Sequence, residues 1–235
     1  MATISFEWGL EGARALAAAR VDCIVVIDVM SFSTCVSVAV ERGAQVLPYP
    51  WRGERAEAFA RKHDAVLASA TRSLVPGEYS LSPTSLSVIP PGTRLVLPSL
   101  NGSTVASALD DFDGEVLIGA IRNRAVTAAR CATHQSIGLV ACGERWPDGS
   151  LRPADEGLLG AGAYLAALSG RRTPEASAAE AVFAAHAADL KEKLATCQSG
   201  RELEEEGFAA DLAWTAAIDT GRTAARYCDG IIAAV

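Results

Sequence analysis

Three apolar runs in this chain each end in residues that can do chemistry. Ile24, Val25, Val26 and Ile27 lead into Asp28, with Ser31, Ser33 and Thr34 just behind. Leu95, Val96 and Leu97 lead to Asn101, Gly102, Ser103 and Thr104, and Leu139, Val140 and Ala141 lead to Gly143, Glu144 and Arg145. A carboxylate closing an all-apolar strand is costly unless it meets a cation, a hydrogen-bond network or solvent. Asp28 therefore reads as a functional acid, or as a cap for the helix that follows. The 101–104 turn offers a flexible glycine and two hydroxyls at a helix start. Such a turn suits backbone amides approaching an oxyanion, and it equally suits an ordinary serine-capped turn. Asp155 and Glu156 open a later helix, where they complement its dipole or, with Asp28 and Glu144, complete an oxygen site for Mg²⁺. Ser199 and Glu202 have capping-box spacing, and the same segment, with Gly200, alternatively presents amides to a substrate.

The elements that must position these residues alternate. Periodicity predicts strands at 2–8, 23–29, 44–49, 65–70, 94–98, 115–119 and 136–142. Helices fall at 9–19, 33–42 and 53–62, then from Ser103 and from Asn123. Strands apolar on both faces belong to a covered parallel sheet, and the loops after them lie at its carboxyl edge, where open α/β proteins bind ligands. The expected fold is three-layer α/β/α with a largely parallel or mixed sheet, formed by residues 1–235 as a single domain or two intimately packed subdomains. From Pro153 onward the chain reads as mostly helical, including one long alanine-rich helix from Pro174 to about Thr196. Residues 71–93 are Ser- and Pro-rich without clear period, the kind of long connection that often carries function.

With half of its 235 residues hydrophobic, the chain can build a large core, and its net charge of -7 argues against a nucleic-acid surface. The six cysteines show no C-x-x-C spacing and read as reduced; the N-terminus has neither the basic nor the long apolar run of a membrane or export segment. A cytoplasmic protein without membrane contact is expected. No P-loop, G-x-G-x-x-G or G-x-S-x-G motif is present, and the three histidines are isolated. Cys142 reads as a core thiol.

The order of these motifs resembles the 2-phosphosulfolactate phosphatase (ComB) family. The resemblance rests on Val25 through Val29 with Ser33 and Thr34, on Asn101, Gly102 and Ser103, and on Asn123. It continues through Gly143 and Glu144, the 156–162 segment, and Cys197, Ser199, Gly200, Glu202 and Leu203, with Asp211 and Asp219 after them. It implies a Mg²⁺-dependent hydrolase that removes phosphate from 2-phospho-3-sulfolactate, a step in coenzyme M biosynthesis, acting as a homo-oligomer on a small anionic phosphorylated substrate. In that reading Asp28 serves the metal or activates water, and Glu144, Glu156 and the neighbouring Asp155 serve the metal or its waters. The 101–104 turn and Asn123 take the phosphoryl oxygens, Ser31, Ser33, Thr34, Ser199 and Gly200 line the substrate, and Arg145 is an arginine clamp. Three departures stand out. Ser31 occupies the usual arginine position, Leu81-Ser82-Pro83 lacks the usual asparagine, and Gly157 replaces an aspartate. A retained anion-binding or regulatory protein without catalysis is the alternative that the altered arginine and acidic positions suit, and a lyase on a related phosphorylated or sulfonated acid is a third reading.

Overall fold

The computed structural model describes residues 1–69 and 71–235. The first half runs β1 (Thr3–Trp8), α1 (Gly9–Ala18), β2 (Cys23–Ile27), α2 (Phe32–Glu41), β3 (Gln45–Tyr49), α3 (Glu54–Lys62), β4 (Val66–Leu67), α4 (Pro83–Leu86), β5 (Arg94–Pro98), α5 (Gly102–Ser107) and β6 (Glu115–Gly119). There follow α6 (Arg124–Cys131), β7 (Ser136–Ala141), β8 (Glu144–Arg145), β9 (Leu151–Arg152), α7 (Asp155–Ala167), β10 (Arg171–Arg172), α8 (Pro174–His186), α9 (Leu190–Thr196), α10 (Gln198–Glu205), α11 (Asp211–Thr215), β11 (Ala225–Cys228) and β12 (Ile231–Ala234). The expected strand at 65–70 shrinks to β4; Ala70 lies outside the described residues.

Ten strands form one mixed, mostly parallel sheet in the order β10-β1-β7-β2-β6-β11-β12-β3-β5-β4. Helices cover both faces, giving the three-layer α/β/α architecture. β2 shows why: Val25 and Ile27 enter the core beneath α6, α7 and α8, while Ile24 and Val26 enter the one beneath α1, α2 and α5. A strand buried on both faces has no room for alternation, hence its unbroken apolar run. Among the described residues no helix is long and apolar enough to cross a membrane.

Two features depart from the sequence reading. The C-terminus is not helical: β11 and β12 form a hairpin inserted mid-sheet between β6 and β3. Its turn, Asp229-Gly230, has both residues at positive φ, the requirement of the hairpin turn that favours Asp-Gly. The expected long helix breaks at 187–189, so that α8 packs on α7 while α9 packs on α10 and α11. Alanine-rich propensity favours continuity, and tertiary packing overrides it.

The hairpin decides where the site forms. Three antiparallel ladders separate the parallel block β10-β1-β7-β2-β6 from the block β3-β5-β4, so the two blocks run in opposite senses. In a flat sheet the carboxyl ends of β2 and β5 would lie at opposite edges. The loops that follow β2 and β5 nevertheless meet, since the Gly102 amide reaches the Asp28 carboxylate.

Candidate active site

The meeting point is Asp28. The loop from β2 to α2 is held by a bond from the Ser33 amide to the Asp28 carbonyl (2.7 Å) and by one from the Asp28 amide to Ser33 Oγ (3.2 Å). The carboxylate then reaches the other block, where its Oδ2 accepts the Gly102 amide at 2.9 Å. A Cβ on Gly102 would run into the Phe32 ring and come within 2.7 Å of Asp28 Oδ2. Glycine is thus required for α5 to dock against α2. The amide expected to meet a substrate oxyanion is already directed at Asp28 and shared with Ser99 Oγ (3.2 Å), which corrects that expectation.

Glu144 arrives from β7. The Cys142 amide bonds the Ile27 carbonyl at 2.8 Å, and the chain turns at Gly143, φ +66, where a side chain would meet Leu151 and the Arg152 carbonyl. The short β8–β9 hairpin then fixes Glu144 opposite Arg152. Glu144 Oε2 accepts Asn101 Nδ2 at 2.9 Å, while Arg145 donates to Asn101 Oδ1 (3.3 Å) and the Leu100 carbonyl (3.0 Å). Asn101 therefore joins both side chains. Burial, and next the charge of Glu156, push Asp28 up to about 6 against the pull of the Gly102 and Phe32 amides and Arg72. Burial, then the charges of Asp28 and Glu156, push Glu144 up to about 8.

Glu156 is buried at the start of α7, whereas Asp155 beside it is exposed and does not line the cavity. Glu156 accepts Ser199 Oγ at 2.5 Å and Cys197 Sγ at 3.6 Å. The expected capping box at Ser199 gives way to a thiol cap: Cys197 Sγ accepts the Gly200 amide at 3.4 Å, which leaves Ser199 for Glu156. Gly200 itself is a packing residue, since a Cβ there would strike the Leu194 carbonyl.

Several expected ligands face elsewhere. Asn123 is fully buried, its Oδ1 accepting the Ala120 amide (2.8 Å) and Tyr164 hydroxyl (3.0 Å), its Nδ2 donating to the Ile118 carbonyl (3.2 Å). Thr34, Ser103 and Thr104 donate to the carbonyls of Val29, Leu97 and Leu100. Hydroxyls near helix starts are not told apart from ligands by sequence, because capping and ligand binding favour the same residue types.

A cavity of about 580 Å³ collects Asp28, Ser31, Asn101, Glu144 and Ser199 with two cations that the motif reading did not include, Arg52 and Arg72. Arg52 is exposed; Arg72, from the 71–93 connection, is mostly buried. Only the unpatterned character of that connection pointed to it. At the opposite end of β2, Cys23, Glu115 and His134 bring ligand atoms within 4.8 Å of one another. There, however, Arg130 grips Glu115 (2.7 and 2.9 Å) and His134 shares its other oxygen (2.9 Å), so the carboxylate already has its counter-charge.

No curated protein matches the chain. The family model described as 2-phosphosulpholactate phosphatase matches residues 13–230 of the 235, a span that takes in all three strand-to-loop motifs, the 71–93 connection and α7 to α11. This chain belongs to that family of phosphatases.

Proposed function

We propose that the protein hydrolyses a phosphomonoester of a small anionic acid, of the 2-phosphosulfolactate kind, with Mg²⁺ as cofactor. The observation that carries this reading is the pair Asp28 and Glu144. Both carboxylates line one cavity, burial and like charge push both upward, and among the described residues neither forms an ion pair. Uncompensated carboxylates of this kind fit a hard dication, which takes one or two carboxylates and keeps several waters. Gly102 and Asn101 each hold one oxygen of the pair, fixing the carboxylates while lone pairs stay open to a ligand.

In this reading Asp28 and Glu144 hold Mg²⁺, with Glu156 behind them and Asp155 left out. When bound, the cation neutralises charge on the phosphoryl oxygens. Asp28, placed by two backbone amides, keeps its geometry through the reaction, and Asn101 prevents Glu144 from swinging away. Both halves of the chain build the one sheet, which supports treating residues 1–235 as one unit. Phosphate release from a panel of phosphomonoesters, with Mg²⁺ and after chelation, tests the function. Release that is unchanged by chelation removes the metal assignment, and no release from any ester removes the phosphatase reading.

A further inference from the structure

Arg72 lies at the start of the 71–93 connection with its side chain 17% exposed, on the wall of the cavity that holds Asp28, Asn101 and Glu144. Its Nη1 donates to Ser31 Oγ at 3.2 Å and to the Leu81 carbonyl. Asp211 Oδ2 lies 3.8 Å away, and Glu206 stands 3.8 Å from Nε at the rim. Asp211 is fully buried; its Oδ1 accepts the hydroxyls of Ser82 (2.8 Å) and Thr84 (2.7 Å), while Oδ2 has no hydrogen-bond partner among the described residues. The guanidinium is thus held beside a counter-charge without being saturated by it. Its hydrogen bonds among the described residues all leave from Nη1, so most of its five N–H donors are uncommitted. A planar fork of this kind matches a carboxylate or sulfonate better than a point charge does. The other cation on the wall, Arg52, is exposed.

Resting on the reading of this cavity as a phosphatase site, we propose that Arg72 binds the acid group of the substrate, carboxylate or sulfonate, while the phosphoryl group sits on the Asp28 and Glu144 side. Asp211 is its positioning residue. The preferred substrate is then a phosphomonoester carrying a second anion within a few bonds of the phosphate. Ser31 is not a lost clamp but the neighbour that steadies a clamp supplied by another segment.

The test compares the parent protein with Arg72→Gln, Arg72→Lys and Asp211→Asn on two esters of similar size in Mg²⁺, 2-phosphoglycolate and ethyl phosphate. Arg72→Gln is expected to raise KM for phosphoglycolate about tenfold or more, the scale of a lost charge-assisted pair, and to leave ethyl phosphate within about threefold. Arg72→Lys restores part of the loss, and Asp211→Asn raises the phosphoglycolate KM without lowering kcat. Equal losses on both esters, or no loss on either, overturn the proposal. Calorimetry with malate, which needs no turnover, separates it from the phosphatase reading. If the parent releases phosphate from no ester of the panel, that reading fails, and the clamp still predicts malate binding that weakens about tenfold in Arg72→Gln. Absence of malate binding to the parent, or equal binding by both, overturns the clamp. Melting temperatures of the folded variants identify any loss that comes from unfolding, and Arg72→Lys, which keeps the charge, then decides.

Discussion

Two clusters of ligand-type side chains sit at opposite ends of β2, and they have opposite electrostatic characters. At the amino end Glu115 is gripped by Arg130 and shares its other oxygen with His134. Burial raises its pKa, yet those partners more than offset burial and hold it below its usual range. At the carboxyl end burial, joined by the charge of Glu156 and, for Glu144, that of Asp28, outweighs the amides they meet, and Asp28 and Glu144 are pushed up to about 6 and about 8. The residue types alone would nominate either end as a metal site. What separates them is whether the protein supplies the counter-charge itself or leaves it to a ligand.

That contrast breaks first at Asp28. Asp28→Asn is expected to reduce Mg²⁺-dependent turnover at least about a hundredfold with the fold intact, and the metal-free variant should melt no lower than the parent, because an uncompensated buried charge is gone. Parent-like rates would end the assignment. Glu115→Gln is expected to do the reverse: turnover unchanged, melting temperature lowered by the loss of about 1–3 kcal/mol from a charge-assisted network.

Gly102→Val tests whether the two blocks of the sheet must touch. Its side chain meets the Phe32 ring and Asp28, so a destabilisation of about 1–3 kcal/mol together with lost turnover is expected by calorimetry and assay. Ser31→Arg then sharpens the picture of the cavity. Ser31 is buried and accepts from Arg72, so a second guanidinium there crowds the first. The sequence comparison alone predicts a gain for a sulfonated substrate; the structure predicts unchanged or weaker binding, read as KM.

The smallest effect is the pH dependence of metal stabilisation. Groups with raised pKa contribute stability that is present below their unfolded values, near pH 4, and is lost as pH climbs through about 6 for Asp28 and about 8 for Glu144. Mg²⁺ binds the deprotonated pair, so its stabilising shift in melting temperature should be small at pH 5.5 and grow toward pH 8. Glu115, lowered instead, contributes stability that is lost only as pH falls through its folded value. A Mg²⁺ shift that is constant between pH 5.5 and pH 8 would contradict the metal role of Asp28 and Glu144.

Much of this was legible beforehand because burial writes itself locally. β2, β5, β6 and β7 fall where unbroken apolar runs lie, since a strand covered on both faces admits nothing else. The site's carboxylates were legible for the complementary reason, that Asp28 and Glu144 are charges at the ends of such runs. Less legible was the purpose of each hydroxyl and amide. Thr34, Ser103 and Thr104 cap backbone, Asn123 braces Tyr164, and the Gly102 amide holds Asp28, none of which differs from ligand binding in residue type or spacing.

Sequence by itself determined the layers, the strands and the loops that carry acid groups, because each follows from apolar period and the cost of burying charge. Only the tertiary structure decided that β11 and β12 separate two blocks of opposite sense, that the loops after β2 and β5 meet at Asp28 and Gly102, and that Arg72 reaches Ser31 across 41 positions. Those outcomes depend on pairings between distant segments, whose free energy is written in no single stretch of chain. The same distance explains why Glu115 is neutralised while Asp28 and Glu144 are left open: the presence of a counter-charge is a property of neighbours in space, and the local pattern of residues does not carry it.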